Sequence, residues 1–115
     1  MSGGGNLDKQ ILNSLREIMG DEFDDLVETF IVNTESMLDQ ISASIKEGDS
    51  QVVTRLAHSI KSSSANVGAL RVSEQAALIE ELASADKLYE ISNTLQNIES
   101  EFNAVRAALE EYATQ

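Results

Sequence analysis

Leu88, Ile91, Leu95, Ile98, Phe102, Val105, Leu109 and Tyr112 follow one another at intervals of three and four residues almost to the end of the chain. That spacing gathers apolar side chains into one narrow stripe on an α-helix and would scatter them over both faces of a strand. The segment is therefore constrained to be a helix with one buried side. Such a stripe has to be covered, and the rest of the chain must supply the cover.

It does so in the same rhythm. Leu7, Ile11, Leu15 and Ile18 predict a short first helix, with Gly20 as its stop and Asp21 as a cap for the next. Phe23, Leu26, Val27, Phe30, Ile31, Met37 or Leu38, Ile41 and Ile45 predict a long second helix running to "EGDS", where Gly48 suits a left-handed closing position and Asp49 or Ser50 an N-cap. A third helix is expected from about Ser50 to Ala65, ending before "NVGAL", in which Asn66 and Gly68 both tolerate a left-handed turn. A fourth covers Val72 to about Ala83 and is closed by "SADK". No proline interrupts any of them.

A chain of 115 residues is long enough for one core but not two. Helices joined by a few residues run antiparallel to their neighbours and bury their stripes on one another. The expected fold is all-α, an antiparallel up-down four-helix bundle with an additional short N-terminal helix across one end. The bundle domain spans 6–115, and the glycine-rich residues 1–5 read as a flexible linker or cloning remnant. The seam from Leu88 to Tyr112 could also serve an intermolecular coiled coil; a wall of the bundle is the better reading, because the other helices need a surface to pack on.

Charge narrows the partners. Eight basic and 20 acidic residues give a formal net charge of −12, which argues against nucleic acid or an anionic membrane, since phosphate backbones attract clustered Lys and Arg. The absence of cysteine excludes a disulfide framework, a thiolate metal site and a cysteine nucleophile. No apolar run approaches the roughly 20 residues needed to span a bilayer, and the N-terminus lacks the pattern of a secretory signal. A monomeric cytoplasmic protein or domain is expected.

Against this background the stretch "RLAHSIKSSSANVGA" stands out, because it holds the chain's one histidine, His58. On a helical wheel Val53, Leu56, Ala57, Ile60, Ser64 and Val67 gather on one side, and Gln51, Thr54, Arg55, His58, Lys61, Ser62 and Ala65 on the other. His58 is thus predicted on the flank of the bundle, with Arg55 one turn before it and Lys61 and Ser62 one turn after. From Ser50 to Ser73 there is no acidic residue, while Arg55, Lys61 and Arg71 are three of the eight basic ones; the other residues carry a net −15. An imidazole on a positive island is badly placed to hold a cation and well placed to meet an anion, and the anion that can bond to imidazole nitrogen is a phosphoryl group.

Other site chemistries lack their parts. Zinc takes about four N, S or O ligands, and only one imidazole is present, without neighbouring carboxylates in sequence. A hydrolase triad has no oxyanion-hole turn or nucleophile elbow, and no glycine-rich loop cradles a nucleotide.

These residues carry a resemblance. "AHSIKSSSANVGA" resembles the signature of histidine-containing phosphotransfer (HPt) domains, and "GALRVSEQAALIEELA", with Val72, Ala76, Ile79 and Glu80, resembles that family's fourth helix. The resemblance implies an antiparallel four-helix bundle that relays a phosphoryl group between the aspartates of receiver domains in a two-component phosphorelay. It implies His58 as the phospho-accepting residue and Lys61 as the lysine that stabilises the phosphoryl group. It implies a phosphotransfer intermediate without kinase activity of its own and without a cofactor, Mg²⁺ being supplied by the receiver partner. The partners implied are the receiver domains of a hybrid histidine kinase, a response regulator or both. They are expected to dock on the first three helices, with Ile11, Leu12 and Leu15 as candidates on the first and Gln51, Arg55 and Ser62 on the third. Two positions depart from the pattern, Ser62 standing where the family usually has glycine and Gln75 where leucine is expected. The alternative reading is a helical adaptor that binds a receiver or another helical partner without transferring phosphate.

Overall fold

The computed structural model describes residues 7–113, so the expected linker at 1–5 lies outside the described residues. The elements are α1 (Lys9–Met19), a 3₁₀ turn (Gly20–Glu22), α2 (Phe23–Glu47), α3 (Ser50–Asn66), α4 (Leu70–Ser84), a second 3₁₀ turn (Leu88–Glu90) and α5 (Ser92–Ala113). α2 packs on α3 and α5, and α4 packs on α3 and α5, which closes the four long helices into the antiparallel bundle.

Local chemistry sets most of the boundaries. Asp8 caps α1 by accepting from the N–H groups of Gln10 and Ile11 at 3.0 and 3.2 Å, and Asp49 caps α3 by accepting from Val52 at 3.2 Å. Gly48 closes α2 at φ 72°, the left-handed conformation expected of it. Three details differ from the sequence expectation. Asp21 caps nothing, because Gly20–Glu22 winds into a 3₁₀ turn that leads into α2 with no side-chain cap. Asn66 is the last residue of α3, and Gly68 alone takes the left-handed turn, at φ 82°. α4 starts at Leu70, directly after that turn.

The seam of α5 is consumed inside the chain. Ile91, Ile98, Phe102, Val105, Leu109 and Tyr112 are buried, and Phe102 meets Phe30 of α2 edge to face with ring centroids 6.1 Å apart. Leu88 belongs to the preceding 3₁₀ turn and Leu95 is half-buried. An intermolecular coiled coil would need the face that the bundle already covers.

α1 lies across the end of the bundle where α3 turns into α4 and α5 finishes. The N–H of Asp8 donates to the carbonyl of Gly68 at 2.8 Å. The Tyr112 hydroxyl donates to Asn13, and the Arg16 guanidinium sits 4.9 Å over the Tyr112 ring and 5.7 Å over the Phe23 ring. The residue that α1 presses into the core is Leu12, with no exposed surface at all. Its expected place among the docking residues is therefore withdrawn. Of the stripe expected to face inward, Leu7 and Leu15 pack against the core, while Ile11 is half-buried and Ile18 is 78 % exposed. A helix lying across an end meets the core along one line, and here that line runs through Leu12, Leu15 and Met19.

Gly68 is the tightest point of this junction. A Cβ there would lie 2.9 Å from the backbone oxygen of Asp8, whereas one on Gly48 would meet nothing within 4 Å. Both are left-handed, so alanine costs about 1–2 kcal/mol of backbone strain at either. Urea unfolding should show Gly68→Ala to be the more destabilising of the two, with equal losses contradicting a close α1 contact.

Candidate functional site

The packing of α3 against α4 builds the site. Ala57, Ile60 and Ser64 face inward from α3, and Val72, Ala76 and Ile79 from α4, all fully buried. Alanines and a serine among the branched residues let the two helix backbones approach, and the Ser73 hydroxyl donates to the carbonyl of Lys61 at 2.8 Å. That bond fixes the register of α4 beside the functional stretch of α3. The register brings Glu80, next in sequence to the buried Ile79, to the α3 residues His58 and Lys61.

His58 lies on the flank as predicted, its side chain 60 % exposed. Its Nδ1 is 2.9 Å from Glu80 Oε2, and Lys61 Nζ is 2.8 Å from Glu80 Oε1. One carboxylate thus spans both basic side chains. The hydrogen bond from Lys61 holds the Glu80 carboxyl below its usual value, helped by the hydrogen bond and charge of His58 and opposed by partial burial. Glu80 is therefore ionised at neutral pH.

An ionised carboxylate can only accept, so the nitrogen that faces it must carry the hydrogen. In the neutral ring, His58 is therefore held with Nδ1–H towards Glu80 and the Nε2 lone pair free. An exposed imidazole in that tautomer is a nucleophile, and the adjacent ammonium of Lys61 favours an anionic electrophile. Near it on α3, Gln51, Arg55 and Ser62 are exposed and share the His58 side of the helix. The structure thus brings Lys61, Ser62, Arg55 and Gln51 together with His58 along one helix, while Ile11 and Leu15 stand on α1, at the end of the bundle.

A family model described as "Hpt domain" matches residues 25–115. The chain belongs to the Hpt domain family. Membership makes it a histidine phosphotransfer domain of a two-component phosphorelay. Among solved structures this Hpt domain is similar to histidine-containing phosphotransfer protein B (HptB) of Pseudomonas aeruginosa PAO1, at 33% identity and a TM-score of 0.90 over 93% of each chain. It shares its fold with a putative histidine-containing phosphotransfer protein from rice, at 19% identity and a TM-score of 0.65, over 98% of this chain and 89% of that one. No curated protein sequence matches it. No helix among the described residues is long and apolar enough to cross a membrane.

Sequence reasoning gave Glu80 no role beyond its likeness to the family's fourth helix. It stands 22 residues after His58, on another helix, and only the α3–α4 register joins them. The available signal was a carboxylate beside the buried Ile79, on an otherwise acidic helix where it looked like one solvated charge among several.

The trio leaves a mark on stability. Glu80 titrates below its reference value of 4.5 in the folded chain, so its contribution is present above that pH and is lost as the pH falls through the folded-state value. Between about pH 5 and about pH 3, the urea midpoint of the wild type should fall further than that of Glu80→Gln. Equal falls would mean that the carboxylate gains nothing from its two partners.

Proposed function

We propose that His58 is the phospho-accepting residue of this domain, that it takes the phosphoryl group on Nε2, and that Lys61 stabilises that group. The observation that carries the reading is the ionised Glu80 on Nδ1, which leaves Nε2 as the exposed nucleophile beside an ammonium. Phosphoryl transfer needs positioning and charge stabilisation more than covalent machinery. Here the Nε2 lone pair forms the N–P bond, and the electrons of the breaking P–O bond return to the donor aspartate.

On this reading the domain needs no cofactor of its own, Mg²⁺ arriving with the receiver, and it does not phosphorylate itself from a nucleotide. Its partners are the receiver domains of a hybrid kinase, a response regulator or both, and it works as a cytoplasmic monomer. The docking face is the α3 row of Gln51, Arg55 and Ser62 around His58, extended by Ile11 and Leu15 on α1. Beside this row α2 and α3 form a groove lined by Leu26, Phe30 and Met37 on one side and Ser59, Ser63 and Asn66 on the other, with no charged residue in its lining. A neutral, partly apolar surface next to a reactive group suits a partner that must cover it.

The test is to mix the purified domain with several phosphorylated receivers and Mg²⁺ and to follow phosphate onto the chain. The label should be acid-labile, base-stable and absent from His58→Gln, whose stability should change by no more than about 0.5 kcal/mol. Receiver binding without labelling by any donor would instead support the adaptor reading.

Two further variants probe the neighbours. Lys61→Ala should lower the transfer rate with the fold intact, and unchanged kinetics would remove its role. Ser62→Gly should speed transfer if the hydroxymethyl group obstructs the partner's backbone; since glycine costs a helix up to about 1 kcal/mol, rates are compared at equal folded fraction. An unchanged rate would show that this departure from the family pattern is neutral.

A further inference from the structure

A phosphoryl carrier must give up its load as well as accept it, and the two directions ask different things of the imidazole. On loading, the Nε2 lone pair forms the N–P bond and the ring becomes a cation that still holds its Nδ1 proton. On discharge to an aspartate, a P–O bond forms, the N–P bond breaks and its electron pair returns to Nε2. With Nδ1 protonated the ring departs as neutral imidazole; with that proton lost it must depart as an imidazolate, a far poorer leaving group.

We propose that Glu80 is a discharge residue: its carboxylate keeps the Nδ1 proton on the phosphorylated ring, so that His58 releases its phosphoryl group through neutral imidazole across the neutral pH range. The inference rests on the reading of His58 as the carrier and adds a second role to Glu80, beyond setting the tautomer of the empty ring.

The charged groups around His58 make Glu80 the deciding one. On α3, Lys61 is drawn to the same carboxylate and Arg55 stands one turn away, and both positive charges disfavour a cationic ring. On α4, Glu80 lies 2.9 Å from Nδ1, and its neighbour Glu81 lines the cleft beside Lys61. From α2, the groove wall beside Ser59 contributes no titratable group. Apart from the phosphoryl group itself, Glu80 is thus the negative charge bonded to the ring. It is anchored for the task, because the helix that carries it is locked to α3 at Ser73 and Lys61.

The experiment loads wild type, Glu80→Gln and Glu80→Asp from excess phosphorylated receiver, isolates them, and measures single-turnover discharge to one saturating receiver at a series of pH values. Using one receiver throughout cancels its own titration from the ratio of rates. An opposite charge at hydrogen-bonding distance moves a pKa by about 1–3 units, and the exposure of His58 points to the lower end. Discharge from Glu80→Gln should match wild type on the acid side and fall off about one pH unit earlier, becoming about tenfold slower on the alkaline side. Glu80→Asp, which keeps the charge, should lie between them. A constant ratio at every pH would overturn the proposal and leave Glu80 a positioning role alone.

A second readout needs no receiver. The Nδ1 resonance of phosphorylated, ¹⁵N-labelled His58 should titrate at higher pH in the wild type than in Glu80→Gln, and coincident titrations contradict the proposal. Failure of the wild type to take phosphate from any receiver would overturn the carrier reading itself, an outcome distinct from either of these.

Discussion

Everything functional in this chain depends on how closely α3 lies against α4. Ala57 and Ser64 on one helix and Ala76 on the other take little room, Ile60 and Ile79 fill what is left, and the Ser73 hydroxyl binds the carbonyl of Lys61. Apolar burial of this kind is worth about 25 cal/mol per Å² and has no direction of its own; the Ser73 hydrogen bond supplies the register. With the register set, a carboxylate from one helix meets an imidazole and an ammonium from the other. A displacement of α4 by one turn would carry Glu80 about 5.4 Å along the helix and out of reach.

The charge distribution follows a similar logic. A chain of net charge −12 leaves the sequence from Ser50 to Ser73 free of acid, and the fold then brings the Glu80 carboxylate of α4 to Nδ1 of His58. Positive charge beside an exposed imidazole favours the approach of a phosphoryl group, while that carboxylate decides which nitrogen meets it. On the proposed reading the site is no pocket but an exposed ring held from behind.

Much of this could be read from the sequence because period and burial coincide. The α5 seam and the inward face of α3 were legible from spacing alone, and the position of His58 on the flank followed from the same wheel. α1 is less legible: of the apolar spacing Leu7, Ile11, Leu15 and Ile18, Leu7 and Leu15 do pack on the core, whereas the crossing at the bundle end buries Leu12 and leaves Ile18 exposed. Asp21 had the chemistry of a cap, but the chain winds a 3₁₀ turn there and uses none. Glu80 escaped because a side chain's partner on another helix is set by tertiary register, which no local pattern records.

The central claim is that Nε2 of His58 carries the phosphoryl group while Nδ1 stays bonded to Glu80. The measurement that addresses it most directly is nitrogen and phosphorus NMR of the domain after phosphorylation by a receiver, with the histidine ring labelled with ¹⁵N. The account predicts phosphorus–nitrogen coupling at Nε2 and a proton on Nδ1. Coupling at Nδ1, or phosphate on any residue other than His58, would contradict it.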